Sequence, residues 1–162
     1  DFYVNSSLSL SRNLVYNFNE TLYDYGADFS QYNIIENKYV ITDLAFSPGV
    51  LLNNHFEWKA NKFLSFILNS KYVGKQYLDN TSNEKRVLKD FLINDFKIQT
   101  NLTNNVLNNL FFKIEINNIF NVKYSSNGYT FGYYGGMDYE VRENYFYPQA
   151  TRNIMFSISI EI

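Results

Sequence analysis

Six segments of the chain alternate apolar and polar residues with a period of two, the spacing that sends successive side chains to opposite faces of a β-strand. From Phe2 to Asn19, the residues Phe2, Val4, Leu8, Leu10, Leu14, Tyr16 and Phe18 fall on even positions, against Asn5, Ser7, Ser9, Ser11, Asn13 and Asn17 on odd ones. The parity persists in Thr42 to Lys59, where Leu52, Phe56 and Trp58 oppose Asn53, His55 and Glu57, and in Phe63 to Leu78, where Ile67 is an exception. It continues in a segment ending at Leu102 and from Leu110 to Tyr124, and closes with Ile154, Phe156, Ile158 and Ile160 against Asn153, Ser157, Ser159 and Glu161. No helical period of comparable quality occurs, so the pattern predicts an all-β chain built on six antiparallel strands.

The connections alternate between short and long. Ala60 to Lys62 and Thr103 to Asn109 read as tight turns, while Glu20 to Ile41, Asp79 to Asp90 and Ser125 to Pro148 read as loops. A soluble sandwich hides its apolar face against a second sheet, over strands of about five or six residues. Strands of about twelve or more residues, apolar on one face and charged on the other, fit instead the wall of an up-and-down transmembrane β-barrel, with lipid outside and a polar lumen inside. Outer-membrane rules then make the short turns and both chain ends periplasmic and the long loops extracellular. Six tilted strands span roughly 35 to 40 Å, too little to close around a polar lumen, so a larger barrel is expected. Pairing the last two segments with Phe120 opposite Ile154 and Phe112 opposite Ile162 would set Lys113 against Glu161 and Glu115 against Ser159.

Composition narrows the chemistry. The 162 residues include 15 Phe, 15 Tyr and 1 Trp but only 7 Gly and 2 Pro, which excludes disorder and collagen-like structure. A net charge of -2 without a basic stripe argues against a nucleic-acid partner. No cysteine leaves no disulfide, thiolate nucleophile or Cys-ligated zinc, and one histidine leaves a His-based metal site without a second imidazole. No enzymatic activity, cofactor or metal centre is expected. Asp95 and Glu115 alternate with Lys97 and Lys113 as in a neutralised lumen wall, and His55 reads as a solvated residue of that face. Asp79 to Asp90, with Lys85, Arg86 and Lys89 among its charges, reads as a solvated loop. Within Ser125 to Pro148, Tyr129, Tyr133, Tyr134, Tyr139 and Arg142 combine stacking faces with a hydrogen-bonding cation, the chemistry of solute capture. The same aromatics also suit packing over neighbouring loops and an upper aromatic girdle. The chain opens at Asp1 with neither an initiating Met nor a signal-peptide core, so a mature product or a piece of a longer polypeptide is expected.

Five stretches carry a family likeness: Leu44-Ala45-Phe46-Ser47-Pro48, Lys71-Tyr72-Val73-Gly74-Lys75-Gln76-Tyr77-Leu78-Asp79-Asn80-Thr81, Ile116-Asn117-Asn118-Ile119-Phe120-Asn121, Asn127-Gly128-Tyr129-Thr130-Phe131, and Tyr147-Pro148-Gln149-Ala150-Thr151-Arg152-Asn153. From Leu44 onward the chain resembles the C-terminal end of the barrel of TonB-dependent outer-membrane receptors of the Bacteroidetes. The resemblance implies that residues 1–162 are the last six strands of a barrel of about 22, with the earlier strands and the plug domain lying outside them. It implies import of a scarce solute such as an iron chelate, cobalamin, a glycan or a peptide. The implied partners are the outer-membrane bilayer, the remaining strands and plug, TonB through the missing N-terminal part, and the barrel-assembly machinery. In the family that machinery reads a terminal strand usually ending in an aromatic residue, where this chain has Glu161-Ile162. A different class of reading is a stand-alone structural or adhesive β-module whose apolar face is a protein interface.

Overall fold

A computed structural model describes residues 1–102, 109–136 and 139–161, and within them the chain is strand, turn and coil with no helix. Twelve strands occur among the described residues: β1 (Phe2–Leu10), β2 (Leu14–Asp24), β3 (Asn33–Asp43), β4 (Val50–Lys59), β5 (Leu64–Val73), β6 (Gln76–Tyr77), β7 (Val87–Leu88), β8 (Phe91–Leu102), β9 (Asn109–Asn117), β10 (Ser125–Tyr134), β11 (Glu140–Pro148) and β12 (Asn153–Glu161). Six of them form one antiparallel sheet in the order β1-β4-β5-β8-β9-β12. These are the six segments marked by the alternation.

The long connections correct the reading of the sequence. Each of the three folds as a hairpin: β2 with β3, β6 with β7, and β10 with β11. β10 also meets β2 in parallel, which gives a second, four-stranded sheet in the order β11-β10-β2-β3. Five strands of the large sheet therefore fall short of the expected twelve or more residues, at 9 or 10, and β8 reaches 12. The first segment breaks at residues 11–13, and the second breaks at residues 44–49, where Phe46 takes a positive φ of 53° and Pro48 supplies no donor. β9 stops because Asn118 and Asn121 adopt left-handed backbone, with φ of 53° and 56°. The expected short turn from Thr103 to Asn109 lies, for residues 103–108, outside the described residues.

Across the large sheet the even residues line up in rows. Phe2, Trp58, Phe66, Ile98, Ile114 and Phe156 form one row, and Val4, Phe56, Leu68, Phe96, Ile116 and Ile154 the next. Phe2 stacks on Trp58 with centroids 6.0 Å apart, and Trp58 stacks on Phe66 at 5.3 Å. Among the described residues nothing covers this face: Phe156 is 75% exposed and Ile158 66%. A row of Ser6, Asn54, Ser70 and Asn94 interrupts it, and there the Ser70 hydroxyl donates to Asn94 Oδ1 at 2.5 Å. The odd face holds the charges. Lys97 and Lys113 both reach Glu115, at 2.8 and 3.0 Å, and Asp95 accepts the backbone N–H of Asn118 at 2.8 Å. His55 is half-buried, with Nδ1 2.8 Å from Asn69 Oδ1. Ile67, the exception in the alternation, is buried on this face in a row with Glu57 and Lys97.

The expected register of the last two strands is also corrected. Ile154 faces Ile116, Ser157 faces Lys113 and Glu161 faces Asn109, a displacement of four residues from the expected pairing. Phe120 lies beyond the end of β9, and Lys113 turns to Glu115, two residues along its own strand. The displacement is even, so residues 153–160 of β12 keep their expected faces. The expected partner of Phe112, Ile162, lies outside the described residues; Phe112 faces Ile158.

β1 and β12 each pair on one side only, and no closed barrel forms among the described residues. Residues 2–10 and 153–160 are exposed along their whole length. Buried apolar residues lie elsewhere, with Leu22, Leu78 and Leu88 in or beside the hairpins. Leu78 packs against Gly128, where a Cβ would meet the Tyr145 carbonyl oxygen and the Leu78 methyl group. Gly128→Ala is expected to cost about 1–3 kcal/mol, because the clash is with backbone. Gly49→Ala should be nearly neutral, since its nearest neighbour is in ordinary contact at 3.4 Å. Urea unfolding of the two variants checks the contrast.

Candidate functional site

Four of the five stretches quoted above contain joints between elements, while Asn127 to Phe131 lies within β10. Asp79 Oδ1 accepts the Thr81 N–H at 3.1 Å and its hydroxyl at 2.5 Å, closing a local turn. Asn80 Oδ1 then accepts the Ala45 N–H at 2.7 Å, and Phe46 N–H donates to the Tyr77 carbonyl at 3.0 Å, so Leu44 to Pro48 is sewn to the β6–β7 hairpin. Asn118 donates to the Val122 carbonyl and accepts the Val122 N–H, while Asn121 Oδ1 accepts the Arg152 N–H at 3.0 Å. These side chains satisfy backbone groups where strands end and hairpins begin.

The hairpins converge on a buried cluster of charge. Arg86, 6% exposed, stands between the tip of the β6–β7 hairpin and β7. Its guanidinium lies 2.9 Å from Glu20 Oε1 on β2, 2.9 Å from Asp79 Oδ2 within its own hairpin, and 3.3 Å from Glu140 Oε1 on β11. Arg142 on β11 lies 2.7 Å from Glu20 and also pairs with Glu140. Tyr39 and Asn37 of β3 donate to Glu20 Oε2 at 3.1 and 3.4 Å. Two guanidiniums thus serve three carboxylates, with one member or more from each of the three hairpins. Burial pushes the Glu20 carboxyl up, but the Arg142 hydrogen bond and the charges of Arg86 and Arg142 outweigh it and hold the group below its ordinary range. Burial beside Glu20 raises the Tyr39 phenol.

That balance gives a pH dependence with a definite sign. A depressed carboxyl contributes stability that is complete above its unfolded value, here 4.5, and is lost as pH falls through the lower folded value. Acidification from neutrality to about pH 5 should leave the hairpins unchanged. Acidification well below 4.5 should loosen them, as amide exchange of β2 and β3 would record.

The five aromatic and cationic candidates do not form one constellation. Tyr129 and Tyr133 lie on one face of β10 with Phe131, and across the strand pair Tyr129 stacks on Tyr145 at 4.8 Å and approaches Tyr147 at 6.2 Å. Parallel pairing puts Tyr23 beside Tyr133, and Tyr23 stacks on Tyr32 at 5.3 Å, so the row runs on into the β2–β3 hairpin. Tyr129, Phe131, Tyr145 and Tyr147 are all exposed. Tyr134 alternates to the opposite face of the sheet, half-buried, and its carbonyl accepts the Tyr25 N–H at 2.9 Å. Tyr139 is exposed at the β10–β11 turn, apart from that row. Arg142 belongs to the buried charge cluster, a clamp centred on Arg86, and lies over Gly132, where a Cβ would displace its guanidinium. No family model, curated protein or solved structure matches the chain.

Arg86 and Glu20 were not singled out by sequence reasoning, which took Asp79 to Asp90 for a solvated loop. Their signal is faint: Leu78 and Leu88, both buried, flank the segment and mark it as packed. The exposed part of the reading holds at Glu84, which pairs with Lys75 at 2.6 Å in the open. The Lys75 hydrogen bond lowers that carboxyl.

Proposed function

We propose that this chain is the C-terminal wall segment of a TonB-dependent outer-membrane receptor, which imports a scarce solute. The large sheet carries the reading. One of its faces is uncovered, ringed by Phe, Ile, Leu and Trp, while the other holds paired Lys and Glu. Strands of 9 to 12 residues agree with the roughly 9–11 residues a tilted strand needs to cross a bilayer. Two open edges in hydrocarbon would leave backbone groups unsatisfied at several kcal/mol each, so β1 and β12 would pair with further strands of the same barrel. All three hairpins emerge at the end of the sheet opposite the β4–β5 turn, which the reading makes extracellular. The exposed row of Tyr129, Phe131, Tyr145 and Tyr147 is the surface offered to solute.

Membrane fractionation tests the proposal. The protein should remain with the outer membrane through an alkaline carbonate wash and leave it only in detergent. A monodisperse species in detergent-free buffer would contradict it and favour the β-module with a protein interface.

A further inference from the structure

Besides the clamp the three hairpins meet at a handful of places, among them two hydrogen bonds between Asp43 and Ser82, at 2.7 and 3.1 Å, the Tyr25 N–H to Tyr134 O bond at 2.9 Å, and Leu78 against Gly128. β2 and β10 pair over two residue pairs alone, Tyr133 with Tyr23 and Tyr134 with Asp24, reinforced by Gly136 N–H to Gly26 O at 2.9 Å. β11 touches the β6–β7 hairpin through Asn144, which donates to the Lys85 carbonyl at 2.9 Å. Arg86 spans all of these gaps from one buried point, with Glu20, Asp79 and Glu140 on three hairpins within 3.3 Å. A guanidinium is suited to this because its rigid fork presents five donors and stays charged at any physiological pH. We infer that Arg86 is a latch: it makes the three hairpins open and close as one body, independently of the six-stranded wall.

Two features set what the latch controls. Below their short parallel contact β2 and β10 diverge, leaving a cleft of about 340 Å³ lined by Thr21, Tyr23, Thr130 and Phe131, with Glu20 and Arg142 beside it. The hairpins join the wall at narrow places, where Ser11 N–H meets Gly49 O at 3.0 Å, Leu44 N–H meets Asn13 O at 2.9 Å, and Gln149 N–H meets Tyr124 O at 3.0 Å. Releasing Arg86 weakens the hold of β2 on β11 across the cleft, which then rests on the Arg142–Glu20 pair at 2.7 Å, while the ladders of the wall stay intact. A gating role for that opening in solute entry rests on the receptor reading; the coupling of the hairpins does not.

Residue-resolved amide exchange of the full chain in detergent micelles at neutral pH tests the latch. Arg86→Met should accelerate exchange at least tenfold in β2–β3 and in β10–β11 by similar factors, with β5 and β8 unchanged. Arg86→Lys, which keeps the charge but loses the fork, should give a smaller acceleration in the same two hairpins. Lys75→Met, which removes an exposed pair, should leave both alone. If Arg86→Met does not fold, Glu20→Gln serves in its place, because it weakens the β2 arm of the same cluster. Acceleration confined to β6–β7, acceleration shared equally with β5 and β8, or none at all would overturn the inference. Each of those outcomes is separate from membrane fractionation, so the latch and the receptor reading fail independently.

Discussion

Replacing Leu68 with lysine is expected to prevent stable assembly of the sheet in a membrane, whereas lysine at the adjacent Asn69 is tolerated. Leu68 stands mid-strand on β5, between Phe56 and Phe96 in an uninterrupted apolar row. A lysine near the bilayer midplane costs roughly 2–4 kcal/mol, enough to shift a marginal folding equilibrium by more than tenfold. Asn69 lies one residue on and on the other face, opposite His55 and Asp95. There a cation gains an acidic neighbour and gives up one hydrogen bond, a net change of about 1 kcal/mol or less. Folding into liposomes, followed by heat-modifiable gel mobility, reads both variants. Equal folding of the two would contradict the assignment of faces to lipid and lumen.

The second large effect is expected at the clamp. Arg86→Met leaves Glu20 and Glu140 sharing the remaining guanidinium of Arg142 and strips Asp79 of its arginine. Removing one partner from a buried ionic cluster typically costs about 3–5 kcal/mol, because uncompensated charge stays behind in a low dielectric. Arg12→Ala is the contrast: its pair with Asp43 spans 3.4 Å, and the Arg12 side chain is 76% exposed. Such pairs are worth about 0–1 kcal/mol and weaken further in salt. Denaturant unfolding monitored on the hairpins should therefore separate the two variants widely, and raising the ionic strength should not bring them together.

The sequence exposed the large sheet and hid the small one for the same physical reason. Strands that are apolar on one face and polar on the other print a period of two, as Phe112, Ile114 and Ile116 do against Lys113 and Glu115. β2 prints a mixed signal: Phe18, Glu20 and Leu22 share one face, and a buried Glu in that row reads as solvent-facing until Arg86 and Arg142 are found beside it. β10 is harder still, because Gly128 and Gly132 occupy its packed face and carry no hydrophobic mark. Strand pairing had a similar limit. Parity fixed which face each residue of β12 takes, but the register depended on where β9 ends, and that depended on the left-handed backbone of Asn118. The aromatic candidates were legible by composition alone. Their division between an exposed row, the opposite face and the clamp came from alternation along β10 and β11, inside a segment that read as a loop.

Trp58 provides the most direct test of the wall. It is the one tryptophan of the chain, and it sits on the apolar face one residue from the end of β4, 42% exposed and flanked by Phe2 and Phe66. With the protein reconstituted in bilayers, and with Trp58→Phe as the blank, emission from this residue should be quenched by brominated lipids. Quenching should be stronger for bromines near the headgroups than for bromines at mid-chain, as suits an aromatic residue at the edge of the hydrocarbon. Aqueous iodide should have little effect. Full quenching by iodide together with indifference to brominated lipid would place the apolar face away from the membrane and contradict the account.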